Sequence, residues 1–360
     1  MSLHQYKSNS RRLLGGLVAL ILAFSFSACG FAGGSDKNDK EQLVFGGFGG
    51  SLETAMKEKV IPAFEDKYDV SVTYVVGTSD ELLAKARNGQ SGIDVMWTND
   101  STHFVGKKEK LFAELDPDKV KNLADVYPVA KDADNIGVVT GVQALGLTYN
   151  TDVFDKNGWS QPQSWKDLWD KKFANHVIGY NIPIGYANLL LVHLAVMNGG
   201  TPTNLEPGWE QLEELVPNAT WVSPPAQMQS LLANGTGWIG FNGSARSYAA
   251  IEAGDPVGFV YPKEGAIAYP QYFDVLKSAP QPDLAQKFVD FALNNESQKG
   301  MADGALMGPV NSTTQLPKDM AETVPYGDKA IAKLKFVESD HVNDTLTEVT
   351  KRWTRLVGGK

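Results

Sequence analysis

From residue 43 onward, short apolar or β-branched runs alternate with segments of helical period, and this constrains the fold more than any other feature. Residues 43–45 read as a strand. Leu52, Ala55, Met56, Val60, Ile61 and Phe64 then recur at helical spacing, and VSVTYVV at 70–76 reads as the next strand. A helix at 80–89 (DELLAKARNG) leads to a third strand at 93–97 (IDVMW). Strand–helix–strand–helix–strand predicts an α/β fold with a parallel sheet and right-handed crossovers. Ligands of such sheets sit beyond the carboxyl ends of the strands. Pro62 has no N–H to give to Glu58 and is expected to kink the first helix.

A second α/β pattern follows. LGLTYN at 145–150 and HVIGYN at 176–181 read as strands around a helix at 164–173 (SWKDLWDKKF), which Ser164 would cap. A strongly apolar helix at 187–200 stops at glycine. Strands are expected at 237–243 and 257–262, and amphipathic helices at 282–298 and 328–357. A chain of 360 residues is long enough for two such units with separate cores. No internal repeat interrupts the pattern.

The N-terminal segment reads as an address rather than as fold. Lys7, Arg11 and Arg12 precede an apolar run at 13–26 and then FSAC at 26–29, the layout of a signal peptide over residues 1–28. The sole cysteine, Cys29, excludes an internal disulfide. Ser27-Ala28-Cys29 resembles a bacterial lipobox, with Phe26 where leucine is usual, so Cys29 is expected to carry a lipid; ordinary cleavage is the alternative. Polar residues 29–42 would then be a lipidated tether. No second apolar stretch of about 20 residues suggests a membrane span. The formal charge of −9 argues against nucleic acid and suits small cationic ligands.

Candidate ligand-binding residues cluster at strand ends. In LVFGGFGGSLETAM (43–56), glycines surround Phe48 and Ser51 stands at a helix start, so Gly49, Gly50 and Ser51 offer backbone amides. The loop lacks both the third glycine of a dinucleotide fingerprint and a phosphate-loop lysine. A plain structural turn is the other reading. After the third strand, Asn99, Asp100 and Ser101 would rim the same cleft, with Asp100 either meeting a ligand ammonium or closing a helix cap. In FNGSARS (241–247), Phe241 offers a stacking face, Asn242 and Ser244 offer hydrogen bonds, and Arg246 is either a carboxylate clamp or a surface arginine. Tyr269, Gln271 and Tyr272 add aromatic and amide groups, or simply pack. His103, His176, His193 and His341 lack metal-ligand spacing, and His193, inside an apolar helix, reads as a satisfied core histidine. With no nucleophile–base pair to assemble, neither catalysis, metal nor cofactor is expected.

GGSLETAMKEKVIPAFEDKYDVSVTY, LGLTYNTDVF, SWKDLWD, FNGSARSYAAIEAGDPVGFVYPKEGAI and AQKFVDFALNNESQKGMA occur in the order found in one family. The chain resembles the spermidine/putrescine-binding proteins of bacterial ABC importers, extracellular solute-binding proteins of family 1 with the type II periplasmic binding protein fold. The resemblance implies two lobes joined by two crossing strands, near 144–147 and 268–272, that close over a ligand and dock on a membrane permease. Lobe 1 would comprise 43–145 plus 271–316, and lobe 2 146–270 plus 317–360, in a monomer anchored outside the cytoplasm. It places the family's aromatic platforms on Phe48, Phe241 and Tyr269, its polar contacts on Gly49, Asn99 and Ser101, and adds Tyr186 to the ligand set. The family's polyamine carboxylates fall on Gln271 and near Ala187 and Leu190, leaving Asp100 as the one carboxylate, opposed by Arg246. Each buried ammonium needs a partner. The expected ligand is therefore a small amine that also carries an anion, such as a γ-amino acid or an aminophosphonate. Putrescine or spermidine is the alternative; ferric iron and a secreted hydrolase stand further off.

Overall fold

In the computed structural model, residues 40–359 are described, except 90, 183 and 338. The signal peptide, Cys29 and the tether up to residue 39 lie outside the described residues. Among the described residues nine strands form one sheet: β1 (Gln42–Gly47), β2 (Ser71–Val76), β3 (Val95–Asn99), β4 (Val138–Asn150), β5 (Val177–Tyr180), β6 (Ala219–Val222), β7 (Ile239–Gly243), β8 (Val257–Val260) and β9 (Ile267–Val275). Their order is β2-β1-β3-β9-β4-β7-β5-β6, with β8 also paired to β4. The outer trios are parallel: β1 with β2 and β3, and β5 with β6 and β7. The long middle strands β4 and β9 run antiparallel to each other and to their neighbours. The sheet is therefore mixed, with parallel βαβ units on either side of an antiparallel centre.

Apolar side chains bury into two large clusters whose boundary crosses β4 and β9. On β4, Val138, Val139, Val142 and Ala144 belong to the first core, and Leu145 and Leu147 to the second. On β9, Ile267 faces the second core, while Ala268, Tyr272, Phe273 and Val275 face the first. A third, smaller cluster around Leu82, Ile93, Met96 and Phe112 covers the other face of β1 and β3. The C-terminal stretch divides in the same way: Ile331 and Leu334 pack into the first core, and Val342, Val349 and Trp353 into the second.

Local physics modifies several expected helices. The first changes its winding just ahead of Pro62. It is helical over Ser51–Ala55, widens into a π-turn over Met56–Val60, and resumes as Ile61–Tyr68 with the proline in its first turn. Ile61 N–H donates back to Met56 O, and the wider turn falls where Pro62 has no N–H to give. Residues 164–173 form two 3₁₀ turns rather than an α-helix. Ser164 does cap the first, in a box with Asp167, and Asp170 caps the second. The stretch 282–298 is split into Pro282–Ala292 and Asn295–Ala305, because the Asn294 carboxamide accepts from Ser297 N at 2.8 Å and starts a new helix.

Candidate ligand site

Between the two cores lies a cleft of about 860 Å³, within the usual range for small-molecule sites. The first core contributes Phe48, Gly49, Gly50 and Ser51 from the loop after β1, Gln143 from β4, and residues near Gly304. The second contributes Gly185, Tyr186, Gln229 and Arg246, and β9 contributes Tyr269 and Gln271.

The glycine loop is positioned from behind. Phe48 meets Trp97 edge to face at 5.7 Å, and its carbonyl accepts from the Tyr74 hydroxyl at 2.6 Å. Gly47 leaves the room for that hydroxyl, since a Cβ there would lie 2.5 Å from it. Ser51 is the first residue of the helix and does not cap it. Gly50, at φ 73°, takes the N-cap position and no side chain caps the helix.

The FNGSARS segment divides sharply. Phe241 is fully buried in the second core, edge-on to Tyr180 at 5.7 Å, so it does not wall the cleft. Asn242 does not reach the cleft either; its Oδ1 accepts from the Tyr180 hydroxyl and Gly243 N, both at 2.9 Å. Ser244 is likewise buried, its Oγ accepting from Ala144 N at 3.1 Å. β7 is buried on both faces, so Phe241 and Asn242, which alternate across it, both meet packed interior, and Ser244 opens the helix that follows. Arg246 does line the cleft, in the first turn of the helix Ser244–Glu252. Among the described residues no carboxylate forms an ion pair with it. This helix and Gly185–Met197 both begin at the cleft. Neither has a side-chain cap or an acidic residue in its first turn. The positive ends of their dipoles favour negative charge.

Tyr269 stands in the middle, edge-on to Tyr186 at 5.0 Å. Burial raises its phenol pKa strongly, Asp100 raises it further, and Arg246 opposes both. Opposite charges thus act on one hydroxyl. Gln271 is 3 % exposed, and its Oε1 has no hydrogen-bond partner among the described residues. Gln143, opposite Tyr269 in the β4–β9 register, is a cleft residue the sequence reading missed. Its signal was a lone amide inside the apolar run VVTGVQALGL.

Asn99, Asp100 and Ser101 line a separate chamber of about 40 Å³ that shares Gly185 and Tyr269 with the cleft. Asn99 is the N-cap of the helix Asp100–Lys108, accepting from Thr102 N at 2.9 Å. Asp100 is buried and accepts a hydrogen bond from Ser339 Oγ. Burial lifts its pKa to about 6, against the opposing pull of Ser339 and of the His103 charge. Beneath it, His103 stacks on Tyr272 at 4.0 Å, with Nδ1 2.8 Å from Asp274. Burial alone would lower its pKa; Asp274 and Asp132 raise it to about 9 instead. His193 is buried as expected, but its Nε2 has no partner among the described residues, and burial lowers its pKa to about 4.

The model of bacterial extracellular solute-binding proteins matches residues 59–326, about three-quarters of the chain. The chain belongs to that family. As a bacterial extracellular solute-binding protein it works outside the cytoplasm and binds a solute. Among its relatives is the gamma-aminobutyric acid-binding protein of Pseudomonas aeruginosa, 26% identical over 98% of this chain and 97% of that one. The spermidine/putrescine-binding periplasmic protein of Salmonella typhimurium is 25% identical over 79% of this chain and 78% of its own length. A putative 2-aminoethylphosphonate-binding periplasmic protein of the same species is 26% identical, over 82% and 85%. An ABC transporter protein from Clostridium perfringens shares the fold, with a TM-score of 0.77 at 23% identity, over 88% of this chain and 99% of that one. The two-lobed fold expected from the sequence is thus the fold of this solute-binding family.

Proposed function

We propose that this chain captures a small zwitterion for an ABC importer, holding the anionic end at Arg246 and the amine at Asp100. The observation that carries this reading is the placement of Arg246, without an ion-pair partner among the described residues, at the start of an uncapped helix in the cleft. A guanidinium fork there suits a carboxylate or phosphonate. Phe48, Tyr186 and Tyr269 wall the cleft, and Gly49, Gly50 and Ser51 face the solute from the other lobe. Relatives named for gamma-aminobutyric acid and 2-aminoethylphosphonate support a ligand with both charges.

In this reading the lobes divide where the cores do, β4 and β9 form the hinge, and closure over the solute creates the surface that meets the permease. Lipidation at Cys29 would hold the monomer at the membrane, with 29–42 as its tether. No bond is made or broken. The second reading is a polyamine. It is favoured by the relatives named for spermidine and putrescine, and by Glu252, Asp255 and Asp303, which border the cleft beyond the single carboxylate expected from sequence. Against it, Asp303 is already paired with Lys59 at 2.7 Å, and Asp255 accepts from Gln229 at 3.3 Å.

A thermal-shift panel separates the two. A ligand at 100 times its dissociation constant adds about 2.7 kcal/mol to stability. Gamma-aminobutyric acid or 2-aminoethylphosphonate is expected to raise the melting temperature by several degrees, and spermidine to leave it unchanged; the reverse pattern would favour the polyamine.

A further inference from the structure

We infer that the chamber behind Tyr269 is a subsite for a primary ammonium group, with Asp100, Asn188 and Ser339 as its acceptors. This deepens the reading above, which supplies the amine-bearing solute, but it applies to a zwitterion and a diamine alike.

At about 40 Å³ the chamber has room for one small polar group. Its connection to the cleft runs past residues that line both spaces, Gly185 and Tyr269. A Cβ at position 185 would only touch the Tyr269 ring, at 3.9 Å, so it takes a branched side chain there to fill the neck. A cation entering there passes an aromatic face.

An ammonium carries three donors and no acceptor, and the chamber offers the complement. Asp100 is 7 % exposed and forms no ion pair among the described residues. Asn188 is 6 % exposed, and its Oδ1 has no hydrogen-bond partner among the described residues. An acceptor buried without a partner is costly to the fold, and such groups are kept where something else satisfies them. Ser339 Oγ gives its proton to Asp100 and accepts from Asn343 Nδ2 at 3.2 Å, which leaves it a further lone pair. The helix start at Gly185 brings about half a positive charge, which the full charge of Asp100 outweighs, so the chamber suits a monovalent cation and the same carboxylate repels an anion.

The test is calorimetric titration of the protein and its Gly185→Val, Asn188→Leu and Ser339→Ala variants. The probes are gamma-aminobutyric acid, 2-aminoethylphosphonate, putrescine and butyric acid, which lacks the amine. Whichever amine binds the parent protein is expected to lose at least tenfold in affinity in Gly185→Val and Asn188→Leu. The loss expected in Ser339→Ala, the mildest change and a safeguard should the others misfold, is three- to tenfold. Butyric acid is expected to bind all four proteins equally weakly. An amine affinity unchanged across the folded variants would overturn the subsite, and with it the placing of the amine at Asp100, while leaving capture of the anionic end at Arg246 standing. Binding of putrescine alone, weakened by the variants, would keep the subsite and overturn that reading. If no amine binds the parent protein, both are wrong.

Discussion

Arg246 and Asp100 act on Tyr269 with opposite charge, and each carries its own prediction. A hydrogen-bonded charge contributes about 1.5–3 kcal/mol, so Arg246→Gln is expected to weaken a carboxylate ligand roughly 10- to 100-fold, with Arg246→Lys recovering only part. Asp100 is faced by Ser339 and Asp340 from the C-terminal segment, by Tyr272 from β9 and by His103 from its own helix. With its pKa near 6 it gains a proton on acidification and loses the charge an ammonium needs. Affinity for an amine ligand should hold above pH 6 and fall below it, and Asp100→Asn should abolish that dependence. Titrations between pH 5 and 8 decide the matter; affinity that rises on acidification would remove Asp100 from the amine's partners.

These residues also mark how far the sequence carries. The glycine loop and Arg246 were legible because punctuation and charge stand out just past strand ends, and Tyr269 and Gln271, inside β9, because the family resemblance marks that crossing. Phe241, Asn242 and Ser244 looked equivalent to them, since a strand end reads alike whether its side chains meet the cleft or the core. Asn188 sits in an apolar helix and Ser339 lies far along the chain, so only tertiary folding brings them beside Asp100.

At the scale of elements, type and order followed from hydrophobic period, whereas helix continuity depended on where orphan N–H groups found partners. Pro62 was accommodated by a π-turn ahead of it, and the Asn294 cap divided a stretch that reads as a single amphipathic helix. The helix Asp100–Lys108 carries a charged layer that period does not disclose. His103 is held between Asp274 and Asp132, and Asp132 in turn binds Lys107 at 2.6 Å. A histidine whose pKa rises from 6.5 to about 9 on folding stabilises fully below pH 6.5 and loses that contribution as pH climbs through 9. Its size is of order a few kcal/mol. The urea midpoint should therefore drop between pH 6.5 and 9.5, and the drop should be much smaller in His103→Gln, which is the weaker protein at pH 6. A parent midpoint flat across that range would mean that His103 is neutral in the fold.

For the whole molecule, β4 and β9 link two cores, and a cleft of about 860 Å³ is wide for a solute of a few heavy atoms. Binding by closure then predicts a compaction on adding ligand, read as a smaller radius of gyration in solution scattering. The most direct measurement is calorimetric titration of the mature protein with gamma-aminobutyric acid, 2-aminoethylphosphonate and spermidine in parallel. The site described here predicts one-to-one micromolar or tighter binding of an amino acid or aminophosphonate and none of spermidine. Tight spermidine binding with no heat from either zwitterion would contradict it.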